Sequence, residues 1–203
     1  SSGMGDMHIQ VMVNRLKNRY GIDVELGRPK IPYKETFSTN ADVSYRHKKQ
    51  TEGSGQFGQV YIKLSPTERG TGIESVNSIV GGAISKGYIP AVEKGVQEKA
   101  AEGVLAGYPL IDFQVELYDG KEHSVDSSEM AFKIAGARAL VEASQKAKPI
   151  LLEPIVNMEI IVPSEFMGDI TGGLSGRRGR IQGMDAEGPN QVIRATAPLS
   201  EVM

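Results

Sequence analysis

The sequence has no cysteine in its 203 residues. That absence excludes disulfide staples, thiolate zinc sites and cysteine nucleophiles together, and it suits a reducing cytoplasm. Long apolar runs are also missing: stretches such as Ile150 to Leu152 and Ile160 to Val162 fall far short of the ~20 residues that span a bilayer. No charged-then-apolar leader opens the chain, so nothing marks it for secretion, and a cytoplasmic protein without a membrane partner is expected. No Gly-x-x-x-x-Gly-Lys-[Ser/Thr] occurs: Gly82 to Lys86 and Gly173 to Arg178 both fail the pattern, so no phosphate loop and no cofactor are expected in this chain. His8 and His47 lack acidic or histidine partners at ligand spacing, which leaves no metal site. Glu25, Glu35, Asp112 and Glu116 are scattered carboxylates without a pairing. With a net charge of −2, the molecule as a whole is no nucleic-acid binder on electrostatics alone.

What is present is locally uneven. Hydrophobic residues at 39% and charged residues at 24% are ordinary for a folded soluble protein, with room for one large domain or two small ones. Arg46, Lys48 and Lys49 form one basic cluster, and Arg177, Arg178 and Arg180 another. Each reads as a solvated face or as an RNA contact. Twenty-four glycines against 6% aromatics point to places where the backbone turns or another molecule comes close. They gather at Gly53-Ser54-Gly55, Gly81-Gly82, Gly172-Gly173 and Gly176 to Gly183.

Periodicity places the elements. Asp6 is positioned to cap a helix whose face carries Ile9, Met12, Val13, Leu16 and Tyr20, stopped by Gly21. Residues 22–26 and 31–37 read as extended. Residues 42–49 and 59–65 alternate as a hairpin, joined by a long glycine-rich connection from Thr51 to Gly58. A strand is expected at 73–80, a helix from Ile89-Pro90 to Gly103, and a strand at 111–118. Asp126-Ser127-Ser128-Glu129 reads as a capping box led by Asp126, opening a helix with Phe132, Ala135, Ala139, Leu140 and Ala143 on one face and ending near Lys148-Pro149. Then follow a strand at 154–162, a short helix from Glu165 to about Leu174 capped by Ser164, and strands at 180–185 and 191–197. This closing β-α-β-β has three strands and one helix, where a ferredoxin-like unit needs a second helix and a fourth strand. The opening helix and strand likewise lack a partner layer, so the chain is expected to be cut at both ends. Val156, Met158, Ile160 and Ile181 are the residues expected to lie exposed on the incompletely covered sheet or to find a partner chain.

Several segments, taken together and in order, resemble the elongation factor G family. They are Gly3-Met4-Gly5-Asp6-Met7-His8-Ile9, Gly53-Ser54-Gly55-Gln56-Phe57-Gly58, Gly87-Tyr88-Ile89-Pro90-Ala91-Val92-Glu93-Lys94-Gly95 and Leu105-Ala106-Gly107-Tyr108-Pro109. The series continues with His123-Ser124-Val125-Asp126-Ser127-Ser128-Glu129, Leu151-Leu152-Glu153-Pro154, Gly168-Asp169, Arg177-Arg178-Gly179 and Pro198-Leu199-Ser200-Glu201. The resemblance implies an α/β (α+β) fold: an elongated ribosomal-protein-like domain IV flanked by incomplete ferredoxin-like domains. Residues 1–37 would close domain III, 38–152 would be domain IV, the ribosome-contacting arm, and 153–203 the first half of domain V.

The functional expectation follows from that resemblance. The chain would be the ribosome- and RNA-contacting portion of a translational GTPase that promotes tRNA–mRNA translocation during protein synthesis. GTP and magnesium would be bound only by the missing GTPase domains, with ribosome, tRNA, mRNA and rRNA as partners. The tip would comprise Gly53, Ser54, Gly55, Gln56, Phe57, Gly58, Lys121 and His123. An amide such as Gln56 hydrogen-bonds base edges or ribose; Phe57 either stacks on a base or anchors the loop; His123 donates to phosphate or 2′-hydroxyl. His123, Ser124 and Asp126 are too close in sequence for a hydrolytic triad. Arg177, Arg178 and Arg180 would touch rRNA or a neighbouring domain. Where the family usually has arginine, glycine and aspartate, this chain has Ser54, Glu52 and Ser124, which weakens phosphate contact and leaves open a paralogue acting in ribosome recycling or protection. A phosphotransferase on a similar scaffold needs a glycine-rich loop leading into a helix, whereas Gly53 to Gly58 leads into a strand.

Overall fold

The computed structural model describes residues 10–13, 31–51 and 53–202. In chain order its elements are β1 (Gln10–Val13), β2 (Lys34–Phe37), β3 (Ala41–Thr51), β4 (Ser54–Pro66), β5 (Ile73–Asn77), α1 (Ile89–Glu102), β6 (Phe113–Lys121), α2 (Glu129–Lys146) and β7 (Pro149–Leu152). They continue with β8 (Ile155–Pro163), a 3₁₀ turn (Ser164–Phe166), α3 (Met167–Gly176), β9 (Arg180–Glu187), β10 (Asn190–Pro198) and α4 (Leu199–Val202). The fold is mixed α/β. Packing divides it into two units: residues 33–152, and residues 153–203 together with 1–32.

In the first unit the strand order is β3-β4-β6-β5, antiparallel except for β5 beside β6. Strand alternation sends Val60, Ile62 and Leu64 of β4 and Phe113, Val115 and Leu117 of β6 into one core. Onto it α1 lays Val92 and Val96, and α2 lays Phe132, Ala135, Ala139, Leu140 and Ala143. The two helices touch backbone to backbone. A Cβ built on Gly95 would lie 2.0 Å from the carbonyl oxygen of Lys133, so only glycine permits that approach. The opposite face of the sheet is polar. There Arg46 Nε donates to Gln59 Oε1 (3.3 Å), Gln59 Nε2 donates to the Tyr61 hydroxyl (3.1 Å), and Tyr118 donates to Asp42 Oδ1 (2.5 Å). The hydrogen bond to Asp42, with burial adding to it, pushes the Tyr118 phenol up to about 12.

A small antiparallel sheet of β2 and β7 closes the unit. Its Glu35, fully buried, is no scattered carboxylate. It accepts the N–H groups of Val104 (2.7 Å) and Leu105 (2.9 Å) at Oε1, and of Ala106 (2.6 Å) and Tyr108 (3.0 Å) at Oε2. Burial works against the charge, yet these four amides outweigh it and hold the carboxyl below its ordinary range. The Leu105 to Pro109 segment is thus wrapped around one side chain.

Two expectations are corrected in this unit. The connection from Thr51 to Gly58 is not a long loop: Thr51 pairs with Ser54, so β3 and β4 run on to the chain reversal at Gly53, whose φ is +87°. The glycines that look like loop are strand, because pairing satisfies their backbone groups. Asp126 does not cap α2; Ser128 does, its hydroxyl accepting from the N–H of Ala131 (3.1 Å). The helix ends at Lys146, close to the expected Lys148-Pro149, and residues 149–152, for which the sequence offered no element, form β7.

In the second unit the order is β1-β8-β10-β9, all antiparallel. β1 corrects the expected opening helix. Gln10 to Val13 pair with Met158 to Ile161, which satisfies the outer edge of β8; the rest of that helix, and residues 22–26, lie outside the described residues. Val156, Met158 and Ile160 are buried against a cluster that includes Leu174 of α3 and Leu199 of α4, contrary to the expectation of exposure. Ile181 is exposed, as is Met184. Ser164 does not cap a helix: its hydroxyl donates to the Pro189 carbonyl (3.0 Å) and ties the 3₁₀ turn to the β9–β10 connection.

Candidate nucleic-acid interface

The end of the β3–β4 hairpin carries the first basic cluster, and alternation divides it between the two faces. His47 and Lys49 lie on the side of α2, alongside a groove floored by Met130, Ile134 and Val141. Arg46 and Lys48 belong to the opposite face, where Arg46 meets Gln59. Buried His47 is tied to Gln56 (Nε2···Oε1 2.8 Å), so the carbonyl end of that amide is taken and its N–H groups remain.

The second loop, residues 122–128, docks onto this hairpin from β6, as the turn-around of the chain there requires. The Phe57 N–H donates to the Asp126 carbonyl (3.0 Å), and the Ser127 hydroxyl donates to the Phe57 carbonyl (2.8 Å). The His123 N–H in turn donates to the Ser127 hydroxyl (2.8 Å). The rings of Phe57 and His123 are 6.0 Å apart. Residues some seventy positions apart in sequence therefore share one end of the sheet. Phe57 is 9% exposed; of its two readings the structure fits the buried anchor, not a ring free to stack.

Between the loops lies a hollow of about 460 Å³. Arg46, Lys48, Lys49 and Lys121 all border it, with Gln56 and His123, and Asp126 is its one carboxylate among the described residues. None of the four cations takes part in an ion pair among the described residues. Four like charges, none ion-paired among the described residues, outnumber the one described carboxylate and form a local positive field in a chain of net charge −2. Gly53, Gly55 and Gly58 line up along the turn and first residues of β4; the side chain of Ser54 lies outside the described residues.

The other basic cluster is built differently. Arg178 forms a bidentate pair with Glu153 (2.7 and 3.1 Å) and a third contact with Glu201 (3.1 Å). Hydrogen bonds to Glu153 first, then Glu201, raise its pKa. Arg177 donates to the Glu201 backbone carbonyl (3.1 Å). Of the three, Arg180, beside a hollow shared with Ile155 and Thr196, keeps its guanidinium clear of such bonds among the described residues. The cluster is mainly an internal staple, which sequence alone cannot tell from an exposed patch.

Sequence reasoning missed His47 and Ser127. A period-two reading of 42–49 would have placed His47 on the same face as Lys49, whose direct partner across the hairpin is Gln56, while His47 itself lies opposite Gly58. Ser127 had no signal of its own, because the cap was assigned two residues too early. Among the described residues no three His, Asp or Glu side chains cluster as a metal site, and no helix is long and apolar enough to cross a membrane.

Comparison with known families bears on the same residues. The chain matches the family models of elongation factor G domain III over residues 2–28, domain IV over residues 29–148 and the elongation factor G C-terminus over residues 150–203. A crystal structure of a protein from Thermus thermophilus is 43% identical and superposes with a TM-score of 0.78 over 90% of this chain. The match spans 27% of that protein's length. Three models matched in order along the sequence, with the two loops meeting at one end of the domain IV match, lead to one conclusion: this chain belongs to the elongation factor G family.

Proposed function

We propose that this chain is the ribosome- and RNA-contacting part of a translational GTPase that promotes tRNA–mRNA translocation. Its hairpin end would act on the paired tRNA and mRNA in the decoding region. The observation that carries the reading is the hollow around His123, where four cations without an ion pair among the described residues outnumber the carboxylate of Asp126. Phosphates are the natural counter-ions of such a field, and their condensed cations are released on binding. Gln56 N–H groups and the His123 imidazole supply donors at a scale suited to 2′-hydroxyls and base edges in the wide minor groove of A-form RNA. Gly53 and Gly55 keep the turn slim enough to enter it. Here the chain does no bond-making chemistry. It holds, and GTP and magnesium belong to the missing GTPase domains, whose hydrolysis times the event in the complete protein.

The direct test is fluorescence anisotropy with a short labelled RNA duplex at several salt concentrations. Replacing both Lys48 and Lys49 by alanine is expected to weaken binding and to lower the slope of log K against log salt by about one per lysine. An unchanged slope with unchanged affinity would remove the phosphate-binding reading. The same chain is expected not to bind GTP with magnesium in calorimetric titration; one-to-one micromolar binding would contradict the assignment of nucleotide chemistry to the missing part. Glu52 and Ser124 depart from the usual residues of the two loops, which favours, as the second reading, a paralogue that recycles or protects ribosomes through the same surface.

A further inference from the structure

We infer that Ser127 is a positioning residue of this interface, fixing which nitrogen of His123 carries the proton and where that proton is offered. The inference rests on the proposed reading of His123 as an RNA-contacting donor, but its geometry stands apart from it. The Ser127 hydroxyl donates its single proton to the Phe57 carbonyl (2.8 Å). Its lone pairs therefore remain to accept, and they take the His123 N–H (2.8 Å). The Ser127 N–H returns to the His123 carbonyl (3.3 Å), closing residues 123–127 into a ring fastened to β4. Inside that ring the N–H groups of Val125 and Asp126 converge on His123 Nδ1, each at 3.4 Å.

Two N–H groups aimed at one ring nitrogen require it to be the acceptor. In the neutral imidazole the proton then sits on Nε2, on the far side of a side chain 53% exposed. The Asp126 carboxylate, 3.8 Å from Nδ1, would draw a proton to Nδ1 if the two amides swung away. The ring thus holds a choice between two tautomers, and only one of them presents a donor outward. Ser127 decides it without touching the ligand, by anchoring the turn to Phe57. Ser128 caps α2, which frees Asp126 and Ser127 for this task.

The test uses the whole 203-residue chain with nitrogen-15-labelled histidine. Long-range proton–nitrogen spectra of the neutral form should show His123 as the Nε2–H tautomer; an Nδ1–H tautomer in the unaltered chain would overturn the inference at once. Ser127→Ala should convert this to a mixture of tautomers, and Ser127→Thr, which keeps the hydroxyl, should restore the Nε2–H form. Binding of the labelled RNA duplex should fall about tenfold in Ser127→Ala, the size of one lost hydrogen bond to a charged group. His123→Ala should fall similarly, and the double variant no further than either. Additive losses, or an unaltered tautomer in Ser127→Ala, would contradict positioning. If His123→Ala leaves RNA binding unchanged, the tip reading fails, while the spectra still decide the role of Ser127.

Discussion

Glu35 and Tyr118 show how single side chains set local stability here. Glu35 replaces four waters with four amides, so Glu35→Gln, whose NH₂ end would face two of those N–H groups, is expected to cost on the order of 3 kcal/mol. Urea unfolding followed by circular dichroism measures it. Because the folded carboxyl is held below its ordinary range, its contribution is present above the unfolded value of about 4.3 and is lost as pH falls through the folded one. The Glu35→Gln variant should therefore show a flatter loss of stability in acid than the parent. Tyr118 has the opposite sign. With its phenol raised to about 12, its hydrogen bond to Asp42 stabilises below the unfolded value of about 10 and is lost as pH rises through the folded one. Asp42→Asn should return one late-titrating phenolate toward ~10 in an ultraviolet titration; a titration curve identical to the parent's would contradict the assigned cause. Neither partnership is visible in the sequence, since Glu35 lies some seventy residues from its amides and Asp42 76 from its tyrosine. The residue types were legible; the pairings needed the fold.

At the scale of elements, period and caps carried far. The apolar stripe of α2, the Pro90 start of α1 and the Gly103 stop all follow from local chemistry. Expectation failed where tertiary pairing overrode a local signal. Gln10 to Val13 fit a helical stripe yet pair with β8, and Gly55 to Gly58, rich in loop residues, sit inside β4 because His47 to Gln50 of β3 pair with them. The shift of the α2 cap from Asp126 to Ser128 is a two-residue error, yet it hid the turn that orients His123. The closest helix contact gives an element-scale prediction. Gly95→Ala must push α2 away from a backbone carbonyl at 2.0 Å and should destabilise the unit by roughly 1–3 kcal/mol, read from the urea midpoint. A neutral result would mean that the two helices do not pack as described.

For the molecule as a whole, the two units have unequal cores among the described residues. Val60, Ile62, Leu64, Phe113 and Phe132 belong to a core built from both helices and a four-stranded sheet, whereas the second unit relies on Val156, Ile160, Ile193 and a few neighbours. With Ile181 and Met184 exposed on edge strand β9, residues 153–202 should exchange amide hydrogens faster than β4 and β6 in a verified monomer; equal protection would contradict that ranking. The functional account also lives at this scale, because a tip that only holds RNA must act at a distance from the site of GTP hydrolysis. The most direct test is single-turnover translocation by the full-length protein with His123 replaced by alanine, run beside ribosome-stimulated GTP hydrolysis. The account predicts translocation slowed at least tenfold, the effect of about 1.4 kcal/mol, with hydrolysis nearly unchanged; translocation at the parent rate, or both activities lost together, would contradict it.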